Sequence, residues 1–307
     1  MSFETDLLLD RRRLKRRLVF WRGLTVAALV LAAIIGFRQT GLSIEPEYVA
    51  RLNVTGMITE DRKMIRLLWR LAENDDAKAL IVAINSPGGT VSGGESLYRA
   101  IAQVAEKKPV VAVMGSLAAS AGYMVAMPAH HVLARESTIT GSIGVLLETG
   151  DVSGLLGKLG ISTEAIRSGA LKDQPNYTRP LTPGGREALQ GLVNDMYEQF
   201  VDMVAKGRKM DPVRVRLLGD GRAYTGRQAL SLGLVDAIGD EQDARTWLAT
   251  AKNVERGLPV RDLTTATFAQ RTFGAGLSDM VGVVWKSLIS QSVSLDGGLA
   301  VWQPPGG

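Results

Sequence analysis

The chain has 307 residues, of which 46% are hydrophobic and none is cysteine, and it carries a formal net charge of +5 at pH 7. The excess of basic side chains lies in residues 1–42, where eight lysines and arginines face three acids, so the remainder of the chain is neutral. A neutral body argues against a nucleic-acid-binding surface, and the absence of cysteine excludes thiol catalysis, cysteine-based zinc sites and disulfides.

The first predicted element is a membrane anchor. A basic run, Arg11–Arg17, is followed directly by the apolar stretch Leu18–Phe37. As a helix this stretch would extend about 30 Å, close to the hydrocarbon thickness of a bilayer. We therefore predict a basic cytoplasmic tail at residues 1–17, a transmembrane helix at residues 18–37 and a linker at residues 38–48. A cleaved signal peptide and a buried core helix remain open as alternatives for the apolar stretch.

Basic charge on the N-terminal flank of an apolar helix favours a cytoplasmic N-terminus. In a bacterium, residues 18–37 would then contact lipid as a single pass through the inner (cell) membrane. The rest of the chain would be periplasmic or extracellular.

After the linker, apolar runs typical of strands alternate with segments that have helical apolar spacing. The predicted strands are Val49–Ile58, Ala79–Ile84, Val110–Met114, Val132–Ala134, Ile143–Leu147 and Glu164–Ile166. The predicted helices are Asp61–Ala72, Ser92–Val104, Ala118–Ala126, Gly184–Lys206, Pro212–Leu217, Gly226–Leu232 and Glu241–Thr250. This alternation predicts an α/β domain at residues 49–257, with mostly parallel strands and helices packed on them. Residues 258–307 are weakly patterned, and their role is uncertain.

Two glycines follow a predicted buried strand, in the segment Asn85–Gly89, which reads Asn-Ser-Pro-Gly-Gly. Because Gly88 and Gly89 have no side chains, backbone N–H groups can point into a shared space there and form half of an oxyanion hole. An ordinary strand-to-helix turn at these residues is the alternative.

Ser120 lies among glycine, alanine and serine residues at the start of a predicted helix. A nucleophilic serine at a helix N-terminus gains from the helix dipole, and the N–H that follows it can bind an oxyanion. The alternative is a serine within a tightly packed helix contact.

A nucleophilic serine needs a base. The two histidines of the chain, His130 and His131, would have to fold back onto Ser120 with an acid behind them. A lysine can replace histidine if its amine is neutral, which requires desolvation because the reference pKa of lysine is about 10.4. Lys172 follows an apolar strand and a glycine turn, and it meets this requirement better than most lysines of the chain. An exposed lysine is the alternative.

Five stretches, taken in order, resemble the signal peptide peptidase A family of serine peptidases, which share the ClpP/crotonase-like fold. They read NSPGGTVSGGESLYRAI, GSLAASAGYMVA, TGSIGVL, SGALKDQPNYTRPLT and GRAYTGRQALSLGLVDAIGD, within roughly Val49 to Ala244. The resemblance implies a Ser/Lys dyad in which Ser120 is the nucleophile, Lys172 is the general base and Ser142 hydrogen-bonds the lysine.

The same resemblance implies that the N–H groups of Gly89 and Ala121 are the oxyanion donors, and that neither a metal nor a cofactor is needed. ClpP itself carries a catalytic histidine beyond the serine. The region here reads Ser142-Ile143-Gly144-Val145 instead, which favours the dyad.

The resemblance further implies a membrane-anchored endopeptidase that degrades cleaved signal peptides and similar apolar peptides. The chain resembles the half-length form of the family, which assembles as a homo-oligomeric ring, with an octamer expected. We expect Lys172 of one subunit to serve Ser120 of the next. Two alternatives are a crotonase-type acyl-CoA enzyme and a catalytically inactive membrane scaffold.

Overall fold

The computed structural model describes residues 17–18, 20–29 and 46–264. The chain divides into two units, Met1–Glu47 and Tyr48–Gly307. In the first unit, residues 17–18 and 20–29 are helical. No helix in the described ranges combines the length and the apolar character that crossing a membrane requires. The predicted anchor at residues 18–37 continues past residue 29 and so lies partly outside the described residues.

Within residues 48–264, the second unit is built around one eight-stranded sheet. Its strands are β1 (Tyr48–Ile58), β2 (Ala77–Gly89), β3 (Val110–Ala119), β4 (His131–Ala134), β5 (Ile139–Gly141), β6 (Ala223–Thr225), β7 (Ala237–Ile238) and β8 (Val260–Asp262). The main path runs β6-β5-β3-β2-β1-β8, and β4 pairs with β3 and β7 beside it. All of these pairs are parallel except β5 with β6. The predicted α/β class is therefore confirmed, and the sheet is mixed.

Within the described residues, the helices of this unit follow the predicted succession, except that the short helix Ser153–Lys158 was not predicted. They are α1 (Arg62–Glu73), α2 (Val91–Ala105), α3 (Ala121–Met124), α4 (Ser153–Lys158), α5 (Pro183–Arg208), α6 (Pro212–Leu218), α7 (Gly226–Leu232) and α8 (Glu241–Lys252). Several begin at a residue whose side chain accepts hydrogen bonds from the first free N–H groups, as Asp61 does for α1 and Thr182 for α5. Such caps fix helix starts at positions that the sequence already marks.

Each face of the sheet is covered by its own apolar cluster. In β2, Ala79 and Ile81 belong to a cluster that contains Leu248 of α8, whereas Leu80 and Val82 belong to the larger core on the other face. Successive side chains of a strand point to opposite faces, so a continuous apolar run is what a strand buried on both faces requires. Burying one such leucine or isoleucine contributes about 1.5–3 kcal/mol.

Two central strands run further than predicted. The segment predicted as a turn, Asn85–Gly89, continues β2 and pairs with β1 after an irregularity in the register. β3 continues to Ala119 because β5 pairs with its last three residues. The predicted helix Ala118–Ala126 is therefore wrong over its first three and last two residues, and only the short helix α3, Ala121–Met124, remains.

Two predicted strands, Ile143–Leu147 and Glu164–Ile166, are wrong. Ile143 is buried, but Leu146 is 84% exposed and Ile166 is 100% exposed. Apolar and β-branched residues form a strand only where a neighbouring strand accepts their hydrogen bonds, and no described strand pairs with these segments. Both predicted strands reach into a segment that we call the arm, defined as residues 145–182, whose one regular element is α4.

The arm exposes many large apolar side chains. They are Leu146, Leu147, Val152, Leu155, Leu159, Ile161, Ile166, Leu171 and Tyr177. Single exposed apolar residues are normal, but a concentration of them marks a surface that contacts something else. The arm is therefore a candidate contact surface.

Candidate active site

β3 ends in a sharp turn at Ser120. The backbone of Ser120 has φ 54° and ψ −122°, a conformation that favours glycine and costs other residues about 1–3 kcal/mol. Ser120 N–H donates to Gly141 O at 2.9 Å, and Tyr123 N–H donates to Ser120 O at 2.9 Å. A strained strand-to-helix turn of this kind presents a serine hydroxyl at the end of a sheet. Because α3 has only four residues, the helix dipole that we expected to assist Ser120 is small.

Ser142 lies next to Ser120 at the same end of the sheet. Ala119 of β3 pairs with Gly141 of β5, and the two serines directly follow this pair. Ser142 also has a positive φ, 48°, and its N–H donates to Arg222 O at 2.9 Å. Two serines are therefore held on adjacent strained turns.

The end of β2 contacts the Ser120 turn. Gly88 has φ +114°, and a Cβ at this position would lie 2.8 Å from Ser120 Cβ and 3.2 Å from Ala121 N. At Gly89, a Cβ would lie 1.9 Å from Ile58 O. Both positions therefore require glycine, and the segments that carry the Gly89 and Ala121 N–H groups are in direct contact.

Ser86 fixes the loop that carries these glycines, a role that the sequence analysis missed. The side chain is fully buried, and its Oγ donates to Gly56 O at 2.6 Å and accepts from Gly88 N–H at 3.1 Å. These bonds tie the end of β2 to the irregular part of β1. The serine in Asn-Ser-Pro-Gly-Gly was the available signal, because hydroxyl side chains in turns often bond to the backbone two residues on.

The segments described above line one cleft of about 640 Å³. Its lining residues are Met57, Pro87, Gly88, Gly89, Val91, Ser120, Ser142, Gly144, Val145, Leu146 and Gly221. The structure thus brings together Ser120, Ser142 and Gly89, with Ala121 adjoining Ser120. Among the described residues, no group of three or more histidine, aspartate or glutamate side chains is placed to hold a metal ion.

Lys172 is not part of this cleft lining and lies on the arm. Its side chain is exposed, and its backbone N–H donates to Gly169 O at 3.1 Å within a turn. The neighbouring Asp173 forms ion pairs with Arg167 and Arg179. A single chain therefore does not bring Lys172 into the cleft with Ser120, and the role of Lys172 stays a prediction.

The two histidines lie at the opposite end of β3. His131 pairs with Val111, which precedes Ser120 by nine residues, or roughly 30 Å of extended strand. His130 Nδ1 accepts a hydrogen bond from Val110 N–H at 3.1 Å. Burial lowers the pKa of both imidazoles below the ordinary value. Neither histidine can reach Ser120 within the chain, so a histidine-based triad is excluded there.

Comparison with known proteins gives two family matches. The model described as Peptidase family S49 matches residues 102–255, and the Clp protease model matches residues 52–139. A Synechocystis sp. protein, provisionally named a protease, is 43% identical over 208 residues, which are 67% of this chain and 75% of that protein. A provisionally named signal peptide peptidase SppA of Enterococcus faecium is 31% identical over 250 residues, or 76% and 73% of the two chains. Protease 4 of Salmonella typhi is 36% identical over 168 residues, which are 54% of this chain but 27% of that protein.

The α/β fold, the strained serine turn and these matches define a serine peptidase. The chain belongs to peptidase family S49, and its relatives include a protein provisionally named signal peptide peptidase. The resemblance to the signal peptide peptidase A family is thereby confirmed. This assignment argues against both alternatives, the acyl-CoA enzyme and the inactive scaffold.

Proposed function

We propose that the chain is an endopeptidase in which Ser120 is the nucleophile and Lys172 is the general base. The observation that supports this proposal is the convergence of Ser120, Ser142 and Gly89 in one cleft of an S49 serine peptidase. Ser120 lies on a turn with a positive φ, and such strain concentrates at functional sites.

The proposed reaction begins when Ser120 Oγ attacks the scissile carbonyl and the neutral amine of Lys172 takes the hydroxyl proton. The N–H groups of Gly89 and Ala121 bind the oxyanion that forms. The Lys172 ammonium then gives its proton to the leaving amine, and a water molecule activated in the same way releases the acyl group. Ser142 hydrogen-bonds the lysine amine and orients it. These steps use neither a metal nor a cofactor.

In this proposal the base reaches the nucleophile from a second copy of the chain. The exposure of Lys172 on the arm supports this arrangement, as do the apolar side chains around it, such as Leu171, which is 50% exposed. An interface would cover these side chains, and a lysine amine that loses contact with water is favoured in its neutral form. The assembly is a homo-oligomeric ring, with an octamer as the expected size.

The proposed substrates are cleaved signal peptides and similar apolar peptides. The side chains of Met57, Val91 and Leu146 give the cleft apolar walls, which suit apolar residues of an extended peptide. The apolar stretch at residues 18–37 would anchor the chain in the inner membrane of a bacterium. The N-terminus would be cytoplasmic, and the peptidase domain periplasmic or extracellular.

The anchor predicts the location of a fused reporter. Alkaline phosphatase fused after Gly307 is expected to be active, and β-galactosidase at the same position inactive, because the basic run Arg11–Arg17 keeps the N-terminus in the cytoplasm. Replacing the basic residues of this run by glutamine should weaken the asymmetry between the two fusions. A fusion with β-galactosidase activity alone would contradict both the topology and the substrate class.

Ser142 provides a graded test of the dyad. Ser142→Ala is expected to lower kcat/KM on an internally quenched apolar peptide by about 10- to 100-fold, since a hydrogen bond to a charged or buried group contributes about 1–3 kcal/mol. Labelling of Ser120 by a fluorophosphonate should persist, because the nucleophile and oxyanion donors remain. Ser153→Ala, on α4 and outside the cleft lining, is the matched control. Unchanged kinetics in Ser142→Ala would show that this hydroxyl only packs.

A further inference from the structure

Three charged side chains close the turn that carries Lys172. Asp173 Oδ1 accepts a hydrogen bond from Arg167 Nη1, and Asp173 Oδ2 accepts one from Arg179 Nη1 at 3.1 Å. The Asp173 side chain is only 16% exposed, and the bond from Arg167 holds the pKa of its carboxyl below the ordinary value. One charged carboxylate therefore joins two arginines that lie on either side of Lys172 in the chain.

Few backbone hydrogen bonds fix this part of the arm, although side-chain bonds also join Thr163 Oγ1 to Thr178 Oγ1 at 2.9 Å and Thr182 N–H to Gln174 Oε1 at 3.2 Å. Residues 159–182 contain no helix or strand. Two backbone hydrogen bonds lie within the turn itself, from Lys172 N–H to Gly169 O at 3.1 Å and from Gln174 N–H to Leu171 O at 3.2 Å. A loop held by so few backbone bonds depends on its side chains for a single conformation. The ion pairs of Asp173 are therefore a main constraint on the position of Lys172.

The same ion pairs determine what Lys172 can contact. Lys172 makes no ion pair with any described residue, although Asp173 is its neighbour in the chain. A carboxylate close to a lysine stabilises the ammonium form, which cannot act as a base. Here both carboxylate oxygens are occupied by guanidinium groups. With two arginines and one aspartate, this group carries one net positive charge, which disfavours a further positive charge beside it.

We propose that Arg167, Asp173 and Arg179 are positioning residues for Lys172: they hold its turn and keep the Asp173 carboxylate from pairing with the lysine amine. This inference rests on the proposed function, because it takes Lys172 as the general base. We call these three residues the clamp.

The decisive measurement is the pH profile of kcat/KM for the full-length oligomer. Arg167→Gln combined with Arg179→Gln frees the Asp173 carboxylate to pair with the Lys172 ammonium. Because this pairing stabilises the protonated lysine, the midpoint of the acidic limb should shift to higher pH by about one unit. Adding Asp173→Asn to this double variant removes the carboxylate, so the limb should return to the wild-type position or below it. The value of kcat should stay low in the triple variant, because the turn remains loose. A purely structural role would not produce a shift that a further substitution reverses.

Asp173→Asn alone tests whether the ion pairs of Asp173 fix the turn that carries Lys172. It should lower kcat about tenfold with little change in KM, without moving the acidic limb upwards. Asp151→Asn is the matched control on the same arm, because its carboxylate accepts from Ser153 N–H within its own turn, at 2.8 Å. This control should leave kcat and the pH profile unchanged.

The outcomes separate the clamp from the dyad. Oligomer mass and melting temperature are measured for each variant, and Lys172→Ala is assayed beside them. An inactive Lys172→Ala together with an unmoved limb in an assembled arginine double variant overturns the clamp alone. A fully active Lys172→Ala overturns the dyad itself. If the double variant does not assemble, Arg167→Gln and Arg179→Gln are tested singly, and an unmoved limb in both overturns the clamp.

Discussion

Ser120→Ala is expected to lower kcat on an apolar peptide by at least about 10,000-fold, because the proposed reaction needs the Ser120 hydroxyl as its nucleophile. The substitution keeps the Cβ, and alanine tolerates the positive φ of this turn about as poorly as serine does. The melting temperature and the oligomer mass should therefore stay close to those of the wild type. A fluorophosphonate should no longer label the protein, so the mass of the intact protein should not increase after treatment.

Ser116→Ala is the matched control for this substitution. Ser116 lies on the same strand, β3, four residues before Ser120, and it is exposed and absent from the cleft lining. Its kinetics and labelling should equal those of the wild type. Full labelling of Ser120→Ala, or loss of labelling in Ser116→Ala, would contradict the assignment of Ser120 as the nucleophile.

Lys172→Arg is expected to be nearly as inactive, with a loss in kcat of about 1,000-fold or more. A guanidinium keeps its proton at every pH at which the protein is folded, so it cannot accept one from Ser120. Lys158→Arg, at the end of α4 on the same arm, is the control and should retain full activity. An active Lys172→Arg variant would exclude Lys172 as the base.

Mixing two inactive variants tests where the dyad forms. Ser120→Ala and Lys172→Ala subunits are dissociated, combined in equal amounts and reassembled. In a closed ring, an interface is productive when a subunit with an intact lysine precedes one with an intact serine, so about one quarter of the wild-type activity should return. The reason is structural, since Lys172 is exposed on the arm and does not line the cleft of its own chain.

The mass spectrum of the intact rings provides the control, because it shows whether both subunit types are present in one ring. Rings that contain both types and remain as inactive as either parent would place the dyad within a single chain. Activity that returns only when mixed rings form supports the interface.

The central part of the fold could be predicted because each of its strands and helices is marked by a pattern within its own sequence. The apolar runs of β1 to β3 are long enough to cross the sheet, and several helix starts are marked by a capping residue or by proline, as at Pro212. The short strand β5 was missed because three residues carry little pattern of their own. Its position is decided by β3, to which it is hydrogen-bonded.

The wrong strand prediction at Ile143–Leu147 has a related cause. Its first residue is buried, but the chain then leaves the sheet, and Leu146 is exposed. Apolar residues in a sequence do not reveal whether they face the core of their own chain or a surface of another. This ambiguity affects the whole arm, whose apolar side chains resemble those of a core.

The candidate site was predictable to a similar extent. Ser120, Gly89 and Ser142 lie in separate motifs, and their convergence follows from neighbouring parallel strands that end at the same edge. The position of Lys172 relative to them could not be predicted, because it lies within residues 159–182, which form no helix or strand that would fix its place beside the sheet. The strain at Ser120 was also hidden, since serine gives no sign that its φ is positive.

The positive φ at Ser120 and at Ser142 favours glycine for stability, whereas the proposed reaction needs the serine hydroxyls. Apart from Lys209 and Asn253, which end helices, the described residues other than glycine with positive φ are Ser120 and Ser142. Glycine at either position would relax the backbone and remove the hydroxyl in the same step. A screen for thermal stability would therefore select enzymes of lower activity at these two positions, and each turn keeps its serine only while activity is selected.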